Sequence, residues 1–158
     1  MKIKILDDAS NLKTSEIKDM YLVLTDGHPA RIGVYIERNE NKILGLSEKA
    51  ERFPPQNSFA FECRALTRGL KLVPSYCNVN KGKEKIIVAN DNQPLMKYAK
   101  EYLKVPNKGE IRSGVKGIVN NFLDSARDVT EDYPIELGII KKDGNGRNPA
   151  HLLCKEHP

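Results

Sequence analysis

The most constraining feature of the sequence is a continuous apolar run, Met20–Thr25, that stops at Asp26 and Gly27. A short apolar run without alternating polar residues is typical of a β-strand that is covered on both faces. A second such run, Lys85–Ala89, stops just before a polar segment centred on Asp91. Because strands buried on both faces need helices on each side of the sheet, the two runs favour the α/β class.

The other apolar patterns predict the remaining elements. Runs rich in β-formers across short polar connections predict strands, and apolar residues at helical spacing predict helices. Besides a short strand candidate at Ile3–Leu6, the predicted strands are Arg31–Glu37, Lys42–Leu46 and Pro134–Lys141, and the predicted helices are Asn57–Val73, Gln93–Leu103, Glu110–Val129 and a short C-terminal helix with Ala150. This order predicts a mixed five-stranded sheet, three antiparallel strands followed by two parallel ones, with helices on both faces.

Length and composition place few limits on function. The 158 residues suit one domain, in which residues 1–18 form a polar N-terminal extension. The absence of an apolar stretch of about 18 residues argues against a membrane span, and the start lacks the features of a signal peptide. Three scattered cysteines predict neither a disulfide framework nor a zinc site, so we expect a cytoplasmic protein. The net charge of +5 suits a polyanionic partner, although many basic proteins bind no nucleic acid.

Three acidic residues stand where packing does not explain a carboxylate. Asp26 and Asp91 follow the two buried runs, and Glu62 lies on the apolar face of the first long helix, between Phe59 and Leu66. If the two strands are neighbours, their ends meet at one sheet edge, the usual place for sites in open α/β folds. If the helix packs across the sheet, it can place Glu62 at the same edge. Three converging carboxylates repel one another unless a divalent cation binds, and oxygen ligands favour magnesium or manganese.

Each carboxylate also has a purely structural interpretation. An Asp-Gly pair is a common turn, and Asp91 could cap the helix that starts at Gln93. Glu62 could instead be a solvated helix residue paired with Arg64 or Arg68. Taken singly, these interpretations are favoured. The occurrence of all three acids in this order, at strand ends and on an inward helix face, favours a shared site.

Three segments together resemble the ribonuclease H family. Leu22–Gly27 (LVLTDG) resembles its first strand, in which the catalytic Asp precedes Gly, and Phe61–Val73 resembles its first helix, which carries the catalytic Glu. Lys85–Gln93 (KIIVANDNQ) resembles its fourth strand. The resemblance covers about residues 20–104 and, more loosely, 134–155. It implies the ribonuclease H fold and a metal-dependent nuclease.

The resemblance also implies a ligand set. In the family, four ligands hold two ions, Mg²⁺ or Mn²⁺, and form the catalytic centre. By position, Asp26 would bridge both ions, and Glu62 and Asp91 would hold the second. The fourth ligand is normally an Asp on the last helix, whereas the matching stretch here, RNPAHLL, has His151 in that place. Histidine is a ligand in related nucleases of this fold, including some Holliday-junction resolvases. Asp143, in the preceding loop, is the alternative.

By the same resemblance, the expected activity is two-metal hydrolysis of the RNA strand of RNA/DNA hybrids, without a protein nucleophile. The alternatives are a DNA nuclease such as a junction resolvase, for which the histidine argues, and a catalytically silent nucleic-acid-binding module. We expect a monomer whose backbone amides, small polar side chains and cations contact the nucleic acid. The residues placed for this are Gly27, Asn57, Ser58, Asn92, Gln93, Arg64, Arg68 and Lys142.

Overall fold

The computed structural model describes residues 5–6, 20–28, 31–38, 41–49, 58–78, 85–105, 115–140 and 149–155. The predicted extension 1–18 therefore lies outside the described residues except for 5–6. In chain order, the elements are β1 (Ile5–Leu6), β2 (Met20–Gly27), β3 (Arg31–Arg38), β4 (Asn41–Lys49), α1 (Ser58–Tyr76), β5 (Lys85–Asn90), α2 (Gln93–Lys104), α3 (Val115–Ser125), α4 (Arg127–Asp132), β6 (Ile135–Ile139) and α5 (Pro149–Lys155).

The strands form one sheet in the order β1-β6-β5-β2-β3-β4. The meander β2–β3–β4 is antiparallel, whereas β5 and β6 run parallel to β2. The predicted mixed five-stranded sheet is thus confirmed, and the two-residue β1 extends it beside β6. The register pairs Thr25 with Asn90, so β2 and β5 end side by side.

Helices cover both faces of the sheet, as predicted. The larger apolar cluster joins α1 and α2 to one face, through side chains such as Val23, Leu66 and Val88. The smaller cluster lies on the other face and includes Leu24 of β2 and Ala150 of α5. This alternation follows from the strand pleat, which directs successive side chains to opposite faces.

The predicted helix Glu110–Val129 is wrong in part. Its described residues form two helices that are separated at Ala126, where the backbone leaves helical geometry and the amide donates to the Leu123 carbonyl at 3.1 Å. Arg127 then donates from Nε to Asp124 at 2.7 Å and from Nη1 to the Val105 carbonyl at 2.7 Å. Because these bonds tie the start of α4 to the end of α2, the chain turns where the apolar spacing predicted continuation.

No described helix combines the length and apolar character needed to cross a membrane.

Candidate metal centre

Two of the predicted acids meet where β2 and β5 end. Asp26 is the penultimate residue of β2 and is buried, and Asp91 directly follows β5 and is half-buried. Side chains lock the two strand ends together: the Thr25 hydroxyl donates to the Ala89 carbonyl at 2.9 Å, and Asn90 Nδ2 donates to Thr25 Oγ1 at 3.1 Å. The parallel register and this buried network bring both aspartates to one edge, as the sequence predicted.

Glu62 reaches the same edge from α1 because the helix rests directly on a glycine. A Cβ atom on Gly27 would lie 2.3 Å from the Phe61 carbonyl oxygen, so a larger residue would push the helix away. With glycine there, the Gly27 amide donates to Glu62 Oε1. Only 6% of Glu62 is exposed, and Oε2 has no hydrogen-bond partner. The interpretation of Glu62 as a solvated helix residue paired with Arg64 or Arg68 is therefore wrong, because its side chain is buried.

The three acids converge closely enough to share a cation. Oxygens of Asp26, Glu62 and Asp91 all lie within 4.8 Å of one another. Burial, followed by the negative charges of Asp26 and Asp91, raises the pKa of Glu62 to about 9, and the Gly27 amide offsets part of this rise. At neutral pH and without metal, the Glu62 carboxyl group is therefore protonated. An all-oxygen donor set with one buried, unpartnered oxygen fits a hard divalent ion such as Mg²⁺ or Mn²⁺.

His151 contacts this cluster from the opposite face of the sheet. Its Nδ1 lies 2.7 Å from Asp26 Oδ2, and about half of its side chain (49%) is exposed. A neutral imidazole that donates from Nδ1 to a carboxylate presents its Nε2 lone pair, the arrangement found in histidines that bind metals. His151 is not part of the three-carboxylate group itself. The structure thus places the predicted fourth residue beside Asp26.

Three residues that the sequence reasoning missed fix α5, and hence His151, on the sheet. Gly33 lets α5 approach, since a Cβ there would lie 2.3 Å from the Ala150 carbonyl oxygen. The Ser47 hydroxyl donates to the Leu153 carbonyl at 2.7 Å, and the Cys154 thiol donates to the Asp26 carbonyl at 3.0 Å. A glycine inside a strand pattern signals close backbone approach, so Gly33 could have been recognised. The other two contacts link positions that are remote in sequence and carry no local signal.

Two of the residues predicted to contact nucleic acid, Asn92 and Arg68, have partners within the protein. Asn92 is the N-cap of α2, where its side chain accepts from the Leu95 amide at 3.0 Å, so the interpretation of Asp91 as this cap is wrong. Arg68 forms an ion pair with Glu48, with 3.1 Å between Nε and Oε1.

Other predicted contacts can be placed only in part. Gln93 is exposed in the first turn of α2, and Arg64 is half-buried on α1. Ser58 begins α1, but its side chain lies outside the described residues, as do Asn57, Lys142 and Asp143.

The described architecture recurs among solved structures. The RNase H1 of the archaeon Halobacterium salinarum NRC-1 aligns with a TM-score of 0.58 at 14% identity, over 85% of this chain and 93% of that one. The N-terminal RNase H domain of a Mycobacterium tuberculosis protein aligns with a TM-score of 0.60 at 13% identity, over 85% and 95%. The chain has the ribonuclease H fold.

A third match is a foamy viral protease-reverse transcriptase solved in complex with an RNA/DNA hybrid. It aligns with a TM-score of 0.59 at 11% identity, over 91% of this chain and 20% of that one. A scan against protein-family models gives no match, and a search of curated proteins gives none either. At these identities the likeness is one of fold. Within that fold, Asp26 lies in β2, Glu62 lies in α1 and Asp91 directly follows β5, so all three fall in the segments whose sequence resembles ribonuclease H.

Proposed function

We propose that the chain is a metal-dependent nuclease that cleaves the RNA strand of RNA/DNA hybrids, with Asp26, Glu62, Asp91 and His151 holding two Mg²⁺ or Mn²⁺ ions. The observation that carries the proposal is the convergence of three carboxylates within 4.8 Å at the carboxyl ends of neighbouring strands. Such a cluster is costly to the folded protein unless a cation neutralises it. The presence of this costly cluster in a ribonuclease H fold supports a catalytic role for the three carboxylates.

Divalent ions in this site would supply Lewis-acid chemistry, activating the attacking water and stabilising the leaving 3′ oxygen. The residues of the chain prepare that site. The Gly27 amide fixes Glu62 through Oε1 and leaves Oε2 without a protein partner. The Thr25–Asn90 network fixes the strand ends, so Asp26 and Asp91 need little rearrangement when a cation binds. Fixed ligands lower the cost of assembling the site, which is what efficient catalysis requires.

A second candidate function follows from His151. Its contact with Asp26 supports a role at the first ion, and histidine in this position is the feature by which the chain resembles some junction resolvases of the same fold. That likeness supports a DNA nuclease as the alternative. The hybrid stands first because two of the solved structures described above are an RNase H1 and an RNase H domain, and the third was solved with an RNA/DNA hybrid.

The test is a comparison of substrates. Labelled RNA/DNA hybrid, double-stranded DNA and a four-way DNA junction are incubated with the protein in Mg²⁺ and, separately, in Mn²⁺. The proposal predicts cleavage of the RNA strand alone, leaving 5′-phosphate and 3′-hydroxyl ends. It also predicts that the active protein is a single-domain monomer. Cleavage of the junction with an intact hybrid would replace it by the resolvase alternative. Binding of the hybrid without cleavage in either metal would identify a catalytically silent module.

A further inference from the structure

The face of the sheet that carries α5 is covered only in part by the described helices. In the sheet, α5 packs on β2, β3 and β4. The apolar side chains of α1, α2 and α3 belong to the cluster on the opposite face, and α4 contacts α1 and α3. Among the helices that the structure describes, α5 is therefore the one on this face, and β5 and β6 lie beyond it.

Side chains of β5 and β6 are nevertheless buried on this side. Strand alternation places Ile87 and Glu136 on the α5 face, because their neighbours Val88 and Leu137 belong to the cluster on the other face. Ile87 is 1% exposed and Glu136 is 9% exposed. One Glu136 oxygen pairs with Lys85 at 3.3 Å, whereas Oε2 is buried and has no hydrogen-bond partner among the described residues. Because these side chains are buried within one chain, a further segment of the same chain covers them.

The direction of the chain along the sheet indicates which segment this is. The connection through α1 leads from β4 to β5, and the one that begins with α2 leads from β5 to β6, so both move toward β1. Residues 7–19 connect β1 to the parallel strand β2 and move the opposite way. Crossovers between parallel strands are right-handed in nearly all proteins. Reversing the direction of a right-handed crossover moves it to the other face, which here is the face of α5.

The length of this connection suits such a path. By strand register, Leu6 at the end of β1 is level with Leu24 of β2, four residues beyond Met20. Four residues of strand, about 13 Å, and three strand spacings, about 14 Å, put Leu6 and Met20 about 20 Å apart. A helix of residues 7–19 would itself be about 20 Å long. The connection can therefore cross β6 and β5 in a compact conformation.

We propose that residues 7–19 pack across β5 and β6 on the α5 face, with Leu12 and Ile17 as the large apolar side chains that cover Ile87. The segment also contains lysine, serine, threonine and asparagine, whose side chains are donors of the kind that Glu136 Oε2 lacks. The stretch that its composition marks as a polar extension is then part of the domain, and it completes the second layer over the sheet.

Thiol reporters on the two faces of β5 test the proposal. Ile87→Cys places a thiol on the α5 face and Val88→Cys places one on the opposite face, in a full chain whose native thiols are buried. Leu12→Asp should raise the rate at which iodoacetamide labels Ile87→Cys by about tenfold or more, and should leave Val88→Cys unchanged, because loss of a packed leucine opens the segment locally. Leu152→Asp, the same change at a leucine that is 54% exposed, is the matched control and should affect neither reporter.

Unchanged protection of Ile87→Cys in a folded Leu12→Asp protein would overturn the proposal, and so would an equal rise at both reporters. If Leu12→Asp does not fold, a photoreactive benzophenone amino acid in place of Leu12 gives a second readout. A cross-link to β5 or β6 of the same molecule supports the proposal. A cross-link elsewhere in the chain, a cross-link between two molecules, or none at all overturns it. Neither measurement uses nucleic acid, so the result is independent of the proposed function.

Discussion

At the scale of single residues, the site is governed by Glu62. Its carboxyl group is buried beside Asp26 and Asp91, and the resulting pKa of about 9 lies far above the ordinary value of 4.5. The folded, metal-free protein therefore binds a proton that the unfolded chain releases near pH 4.5. A group whose pKa is raised on folding stabilises the protein below its unfolded pKa, and this contribution is lost as pH rises through the folded value.

We accordingly expect the contribution of Glu62 to the free energy of unfolding of the metal-free protein to decrease as the pH rises from about 5 to about 9. Glu62→Gln should flatten this dependence, because glutamine cannot ionise. Urea unfolding with a chelator present, at several pH values, measures the effect. Equal pH dependence in the variant and the wild type would show that Glu62 is not the titrating group.

Metal preference should depend on His151. If its imidazole is the fourth ligand, His151→Ala should lose most activity, whereas His151→Asp should keep much of it and shift preference from Mn²⁺ toward Mg²⁺, since oxygen ligands suit Mg²⁺ better. Cleavage rates in each metal, measured for the three proteins, test this. Unchanged rates in the alanine variant would remove His151 from the site and make Asp143 the next candidate.

The shared position of the three carboxylates could be predicted from the sequence because each one follows or interrupts an apolar pattern. In addition, neighbouring parallel strands end at the same edge of a sheet. The sequence could not show that Asn92, rather than Asp91, caps α2, since the two adjacent residues are both good caps. Nor could it assign Arg68 to Glu48, because that pair joins α1 to β4 across 20 positions.

At the scale of elements, the short helix α5 holds His151 against Asp26. The helix packs directly against Gly33, because a Cβ atom at that position would lie 2.3 Å from the Ala150 carbonyl oxygen of the helix. Gly33→Ala should therefore displace α5, cost about 1 to 3 kcal/mol of stability, and lower cleavage through loss of the His151–Asp26 contact.

Gly45→Ala is the matched control for that prediction. Position 45 is also on the sheet, but the nearest atoms to its added Cβ belong to the flexible end of Lys42, at 2.9 Å, which can move aside. Cleavage rates and melting temperatures of both variants are compared. If Gly33→Ala keeps wild-type activity, the seating of α5 has no bearing on the site.

The elements themselves were largely predictable because β2 and β5 are continuous apolar runs and α1 has clear helical spacing. The break between α3 and α4 was not, because the bonds of Arg127 to the end of α2 are tertiary contacts and leave no trace in the local apolar pattern.

At the scale of the whole molecule, sheet order and charge together explain the arrangement of the site. The order β5-β2-β3 places the ends of β2 and β5, and the contact between Gly27 and α1, at one edge of the sheet. Concentrated negative charge repels a polyanion, so a nuclease built on this plan needs both bound cations and nearby basic side chains. The net charge of +5 agrees with that requirement.

The most direct test of the central claim is the rate at which Asp26→Asn cleaves an RNA/DNA hybrid in Mg²⁺ or Mn²⁺, measured beside the wild-type protein. We expect metal-dependent cleavage by the wild type and none by the variant. The variant should melt at the same or a slightly higher temperature in chelator, because a negative charge is removed from the crowded group of carboxyls. A folded Asp26→Asn protein with wild-type cleavage would contradict the assignment of the carboxylate cluster as the catalytic site.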